Sequence, residues 1–197
     1  MLDLPPPYAT CAPQVHPATM AAVVHVESGG NELALHVNGW RGMQPRPGSA
    51  PQAAATVRRF VAMGYTVDIG PAQVNSANLP GLGYTVEQVL EPCANLRAGA
   101  TILAACYERA TGSGIPAGDA AIAAALSCYN TNDLRRGILS GYVARYRAMP
   151  AVSAAALPAI APPLRPQTRP AAANSLVATA DAPPAWYGAL ATQGVTP

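Results

Sequence analysis

Met20, Val23 and Val24 lie three and four positions apart, the spacing that puts side chains on one face of a helix. Pro17 suits the opening turn of that helix, and Gly29-Gly30 supply its stop. Carried onward, the same face reaches Glu27, so a carboxylate occupies the last turn of an apolar stripe, where a hydrophobe is the usual occupant. Leu33, Leu35 and Val37 then alternate before Asn38-Gly39 and Trp40, which predicts a short strand, a tight turn and a return strand. A small β-hairpin is therefore expected directly after the glutamate.

Ser49 with Gln52 reads as a capping box ahead of Ala54, Val57 and Val61, with Gly64 as the stop, and Thr85 with Gln88 reads as another ahead of Val89-Leu90. The strongest periodicity comes later. Leu96, Gly99, Ala100, Leu103 and Tyr107 form one stripe, and Ile122, Ala125, Leu126 and Tyr129 form a second. The loop from Thr111 to Gly118, rich in glycine, predicts that these two helices run antiparallel. A last short helix from about Ser140 is expected to bury Tyr142, Val143 and Tyr146. No internal repeat is present.

Composition changes at Pro150: from there to Pro197 fall nine of the chain's 21 prolines, among Ala, Ser and Thr. Residues 1–149 are thus expected to form one domain, and 150–197 a disordered Pro/Ala-rich tail. Its end, Pro183-Pro184-Ala185-Trp186-Tyr187, reads either as a docking peptide or as a bland terminus with a chance aromatic pair. With one Phe and two Trp in 197 residues, core volume must come from Val, Leu, Ile, Tyr and Ala, which fits a mainly α fold with tight helix packing.

A formal charge of +2 with 11% charged residues leaves no basic stripe, which argues against nucleic-acid binding. No apolar run approaches the ~18 residues that a membrane span needs. The start, Met1-Leu2-Asp3-Leu4-Pro5-Pro6-Pro7, lacks the basic and apolar regions of a secretory signal, so export is expected through a removed signal or by another route. Cys11, Cys93, Cys106 and Cys128 lack zinc-knuckle spacing. They fit two disulfides better than four buried reduced thiols.

Cleaving a glycosidic bond requires a proton for a poor leaving oxygen, and a carboxyl group holds that proton near neutral pH only if desolvation raises its pKa. Glu27 is placed for this task, although its position alone is equally that of a solvated carboxylate near a helix end. Three motifs in order weigh on the choice: Glu27-Ser28-Gly29-Gly30-Asn31, Gly70-Pro71-Ala72-Gln73-Val74-Asn75 and Ala125-Leu126-Ser127-Cys128-Tyr129-Asn130. With Asn95-Leu96-Arg97-Ala98-Gly99-Ala100 and Gly141-Tyr142-Val143, the stretch from about Cys11 to Tyr146 resembles the lytic transglycosylases of bacterial type IV secretion and conjugation systems, of the goose-type lysozyme-like, soluble lytic transglycosylase superfamily.

The resemblance implies an α+β lysozyme-like fold and a role for each matching position. Glu27 would be the single catalytic acid/base, and Ser28 would orient the substrate or the carboxylate. Gln73 and Asn75 would line the substrate groove, and Tyr129 and Asn130 would close its floor. Taken alone, Tyr129 reads as a packed core tyrosine and Asn75 as a loop-forming asparagine.

The implied reaction is cleavage between N-acetylmuramic acid and N-acetylglucosamine with a 1,6-anhydro product, opening the wall for a secretion apparatus. Peptidoglycan strands are the implied partner, with secretion proteins at the tail. A periplasmic monomer without cofactor or metal is expected. A hydrolytic lysozyme would need a second carboxylate, for which Glu32 and Asp68 are the candidates, each more readily structural or exposed.

Pro71 and Asn132 depart from the family pattern. Pro71 suits the first turn of a helix and Asn132 tolerates a left-handed turn. Two rival readings are weaker. His25-Val26-Glu27 with Pro92-Cys93 suggests zinc deaminase elements, but Leu96 stands where the second cysteine belongs. A wall-binding scaffold would be expected to have lost the acid, and Glu27 remains. On the implied fold, Cys93 and Cys128 fall at one end of the antiparallel helix pair and Cys106 at the other, so the expected disulfides are Cys11 with Cys106 and Cys93 with Cys128.

Overall fold

The structure is a computed structural model and describes residues 10–148. The expected tail, with its aromatic pair, lies outside the described residues. Helix α1 (Pro17–Ser28) starts with Pro17 behind His16, whose Nδ1 accepts from Ala18 N–H at 3.2 Å, and ends on Gly29 in the left-handed conformation. Thr19, Met20, Ala21, Ala22, Val23 and Val26 are all buried, so α1 runs through the core rather than along its surface.

Strand β1 (Leu35–Val37) follows as expected, but its partner differs. It pairs antiparallel with β2 (Val67–Ile69), Leu35 opposite Ile69, and β2 pairs with β3 (Val74–Asn75), giving a three-stranded sheet in the order β1-β2-β3. The segment at Trp40 does not return as a strand. Instead the Gln44 side-chain amide takes both Val37 groups, accepting from the N–H at 2.7 Å and donating to the carbonyl at 3.2 Å. One amide side chain thus stands in for a peptide unit at the sheet edge. Trp40 packs edge-on against Phe60 and Tyr65.

Helix α2 (Ala50–Ala62) joins β1 to β2, and Ser49 caps it by accepting from Gln52 N–H. The Gln52 carbonyl oxygen accepts from Gly48 N–H rather than from Ser49, so the full box is absent there. Its buried face is Ala53, Ala54, Val57 and Phe60, and Val61 points to solvent. After a 3-10 turn at Ser76–Asn78 come the short helices α3 (Leu79–Leu82) and α4 (Val86–Val89), the latter opened by the complete Thr85–Gln88 capping box.

Helix α5 (Pro92–Gly112) is the spine, with Leu96, Gly99, Ala100 and Leu103 buried along it. Helix α6 (Asp119–Thr131) packs back on α5, and α7 (Arg136–Leu139) packs on α6. Gly137 permits that last approach. A Cβ there would lie 2.8 Å from the Ser127 Cα, and its N–H donates to Ser127 Oγ at 2.8 Å. Helix α8 (Tyr142–Arg147) then turns onto α1 and α6 and buries Tyr142, Val143 and Tyr146.

Both expected disulfides are corrected. The bonds are Cys11–Cys93 and Cys106–Cys128. The reason is helix length: α5 has 21 residues and α6 has 13. Measured from the connecting loop, Cys106 and Cys128 stand at nearly the same height, about 1.5 Å per residue along each helix. Cys93 lies beyond the reach of α6, where it meets Cys11 ahead of α1.

Candidate active site

Glu27 sits on the last turn of α1, held there by the helix stop. The Gly29 N–H donates to His25 O at 3.1 Å, and Ser28 Oγ donates to Val24 O and accepts from Gly30 N–H. Two tyrosines of α8, one helical turn apart, reach the carboxyl group. Tyr142 donates to Glu27 Oε1, Tyr146 donates to the same oxygen at 3.4 Å, and the two hydroxyls are 2.7 Å apart. Oε2 takes no hydrogen bond from a described residue.

Burial raises the Glu27 pKa above its ordinary value of 4.5, the Tyr142 hydrogen bond opposes this, the Asp68 charge adds to it, and Arg145 opposes it. Arg145 itself donates to Val26 O at 2.6 Å and lies over the Tyr142 ring, which ties α8 to the end of α1. Burial also pushes Tyr142 and Tyr146 well above the usual tyrosine range. Both therefore stay protonated, as donors to the carboxylate.

The opposite wall is the β2–β3 hairpin. Asp68 points into the groove, accepting from Asn75 Nδ2 at 2.6 Å and from Asn38 Nδ2 at 3.0 Å. Burial raises its pKa and these two amides hold it down. The turn Gly70–Gln73 closes the hairpin, with Pro71 in a turn rather than opening a helix. Gln73 has φ +48°, a left-handed conformation uncommon outside glycine, and its Nε2 donates to Gly70 O at 2.8 Å and Ala34 O at 3.2 Å.

Asn95, fully buried on α5, fixes this turn. Its Oδ1 accepts from Ala72 N–H at 2.8 Å, and its Nδ2 donates to Ile69 O and Val89 O at 2.8 and 2.9 Å. Gly70 leaves room for it, since a Cβ at Gly70 would lie 2.4 Å from Asn95 Nδ2.

Tyr129 crosses the groove floor from α6 and donates to Ala72 O at 2.6 Å. Gly99 makes the crossing possible: a Cβ there would stand 2.8 Å from the Ala72 Cβ and 2.9 Å from the Tyr129 hydroxyl. Asn130 follows at the surface, and Asn132 ends α6 with φ +54°, in the left-handed turn the sequence anticipates. The resulting groove has a volume of about 300 Å³ and is lined by Glu27, Asp68, Gln73, Asn75, Tyr129 and Asn130 among others, including the Cys106–Cys128 disulfide.

Five of the sequence-expected site residues therefore converge: Glu27, Gln73, Asn75, Tyr129 and Asn130. Ser28 does not line the groove, and its hydroxyl is occupied by backbone. Glu32 is exposed, whereas Asp68 is at the groove wall. Tyr142 and Tyr146, expected from the sequence to be buried, are buried core residues that also touch the acid. Their spacing of four residues, one helical turn, is also the spacing that allows two hydroxyls to converge on one group.

The sequence profile described as "Transglycosylase SLT domain" matches residues 6–137. The chain belongs to this family. Among proteins similar to this transglycosylase SLT chain, the "Type IV secretion system protein virB1" of Brucella abortus biovar 1 (strain 9-941) is 42% identical over 127 residues, covering 64% of this chain and 53% of that protein. The "Protein virB1" of Agrobacterium fabrum (strain C58 / ATCC 33970) is 35% identical over 133 residues, covering 68% and 53%, and that of Rhizobium radiobacter is 37% identical over 133 residues, covering 68% and 54%. The chain spans about half the length of these relatives. No solved structure matches it. The match runs from ahead of α1 into the start of α7, which takes in the groove-lining residues and stops short of α8 with Tyr142 and Tyr146.

Proposed function

We propose that this chain is a peptidoglycan lytic transglycosylase that cuts the β-1,4 bond between N-acetylmuramic acid and N-acetylglucosamine and leaves a 1,6-anhydro end. The observation that carries the reading is the state of Glu27. It is half-buried at the groove, its pKa is raised, and two tyrosines engage one carboxyl oxygen while the other takes no hydrogen bond from a described residue.

Protonated Glu27 gives its proton to the bridging oxygen, and the bond from that oxygen to the muramic C1 breaks. The departing N-acetylglucosamine keeps the proton as its 4-hydroxyl. The Glu27 carboxylate, stabilised by the Tyr142 and Tyr146 donors, removes the proton of the muramic 6-hydroxyl, and O6 closes on C1. Glu27 ends protonated, no water is consumed, and the ring closure needs no second carboxylate.

The relatives' names lend support to action within a type IV secretion system, where local opening of the wall in the periplasm would admit the apparatus. In this reading residues 1–149 form the catalytic domain and 150–197 a tail that engages secretion proteins. Asp68 supports a second reading. A carboxylate lining the same groove could activate water and make the enzyme a hydrolytic lysozyme. Purified cell-wall sacculi test the proposal: the wild type should clear them, and Glu27→Gln should lose at least about a hundredfold in rate. Equal clearing by both proteins would refute it.

A further inference from the structure

Asn78 ends the 3-10 turn after β3, is 8% exposed, lines the groove, and has a side-chain carbonyl oxygen with no hydrogen-bond partner among the described residues. The neighbouring amides differ. Asn75 is committed on both atoms, to Asp68 and to Ala77 N–H, Asn38 donates to Asp68, and Gln73 donates to two backbone carbonyls. The other buried side-chain atom without a partner among the described residues, the Thr19 hydroxyl, does not line the groove. A buried carbonyl without a donor is costly and is rarely left so unless something else supplies the partner.

We infer that Asn78 is a specificity residue that receives an acetamido group of an N-acetylated glycan. The inference rests on the reading of this groove as a glycan site and names the sugar substituent it selects. An acetamido group carries one N–H and one carbonyl, and a primary amide side chain carries the complementary acceptor and donor. The terminal torsion of asparagine is soft, so the amide can turn its oxygen toward an entering N–H. The same groove also has apolar lining at Ile102, Ala105 and the Cys106–Cys128 disulfide. A plain sugar hydroxyl would meet only half of this arrangement.

The test is a titration of isotope-labelled wild-type protein, followed through the side-chain amide signals of Asn78, Gln73 and Asn130. The probes are the β-1,4-linked tetramer of N-acetylglucosamine and the β-1,4-linked tetramer of glucose. The N-acetylated tetramer should shift the Asn78 signal and the glucose tetramer should not. Asn78→Ala should weaken the N-acetylated tetramer by up to about tenfold, leave glucose-tetramer binding unchanged, and raise KM on sacculi with kcat and the pH profile unaltered. Shifts at Gln73 and Asn130 with none at Asn78, or equal preference for both tetramers, would overturn the role of Asn78 and leave the glycan reading standing. No movement of any groove signal with the N-acetylated tetramer would overturn both.

Discussion

Tyr142 donates its phenolic hydrogen to Glu27 Oε1 across 115 residues of sequence. That contact joins the end of α1 to the start of α8 and places a permanent donor on the proposed acid/base. It favours the ionised carboxylate and so works against the burial that raises the Glu27 pKa. Tyr142→Phe should push that pKa higher still. The high-pH limb of kcat/KM, where the protonated acid is lost, should then move to higher pH. We also expect kcat to fall by about tenfold, because the carboxylate loses a charge-assisted hydrogen bond in the ring-closing step. Rates of sacculus clearing across pH provide the check, and a limb moving to lower pH would contradict the assignment.

Asp68 acts in the opposite sense, since its charge adds to the raised pKa of Glu27. Asp68→Asn removes that charge, so the Glu27 pKa should fall and the high-pH limb should move to lower pH. Activity should drop by no more than about tenfold, with the product unchanged. A loss in the range of about a hundred- to ten-thousandfold, typical of removing a general base, would instead place Asp68 in the chemistry and favour hydrolysis.

The two disulfides should separate stability from activity. Cys11–Cys93 spans 82 residues and Cys106–Cys128 spans 22, so by loop entropy their removal should cost about 4.5 and about 3.4 kcal/mol respectively. Paired Cys→Ala variants in urea unfolding give the comparison. Only the second pair lines the groove, and its loss should also lower activity in conditions where the protein remains folded. Peptide mapping should find Cys106 joined to Cys128.

Local signals in the sequence carried far. The helix ending at Glu27, the Thr85–Gln88 cap and the apolar faces of α5 and α6 all depend on neighbours within a few turns, and each is present in the fold, although α1 is buried on more than the one face its stripe marks. Relationships over distance were not legible. The partner of β1 comes from the far side of α2, and nothing near Trp40 signals that Gln44 will take the strand's free edge. The disulfide pairing turned on the unequal lengths of two helices, which periodicity bounds only loosely. Tyr142 and Tyr146 read as core because buried aromatics at helical spacing usually are. Asn95, a polar residue in the first turn of a helix, carried no mark of the turn it braces from 23 residues away.

The central claim is that Glu27 alone serves as acid and then base, so the muramic 6-hydroxyl rather than water attacks C1. The mass of the muropeptides released from purified sacculi tests this most directly. The wild type should release muropeptides with 1,6-anhydro ends, lighter by one water than their reducing-end counterparts, and Glu27→Gln should release almost none. Reducing-end muropeptides as the main wild-type product would contradict the claim.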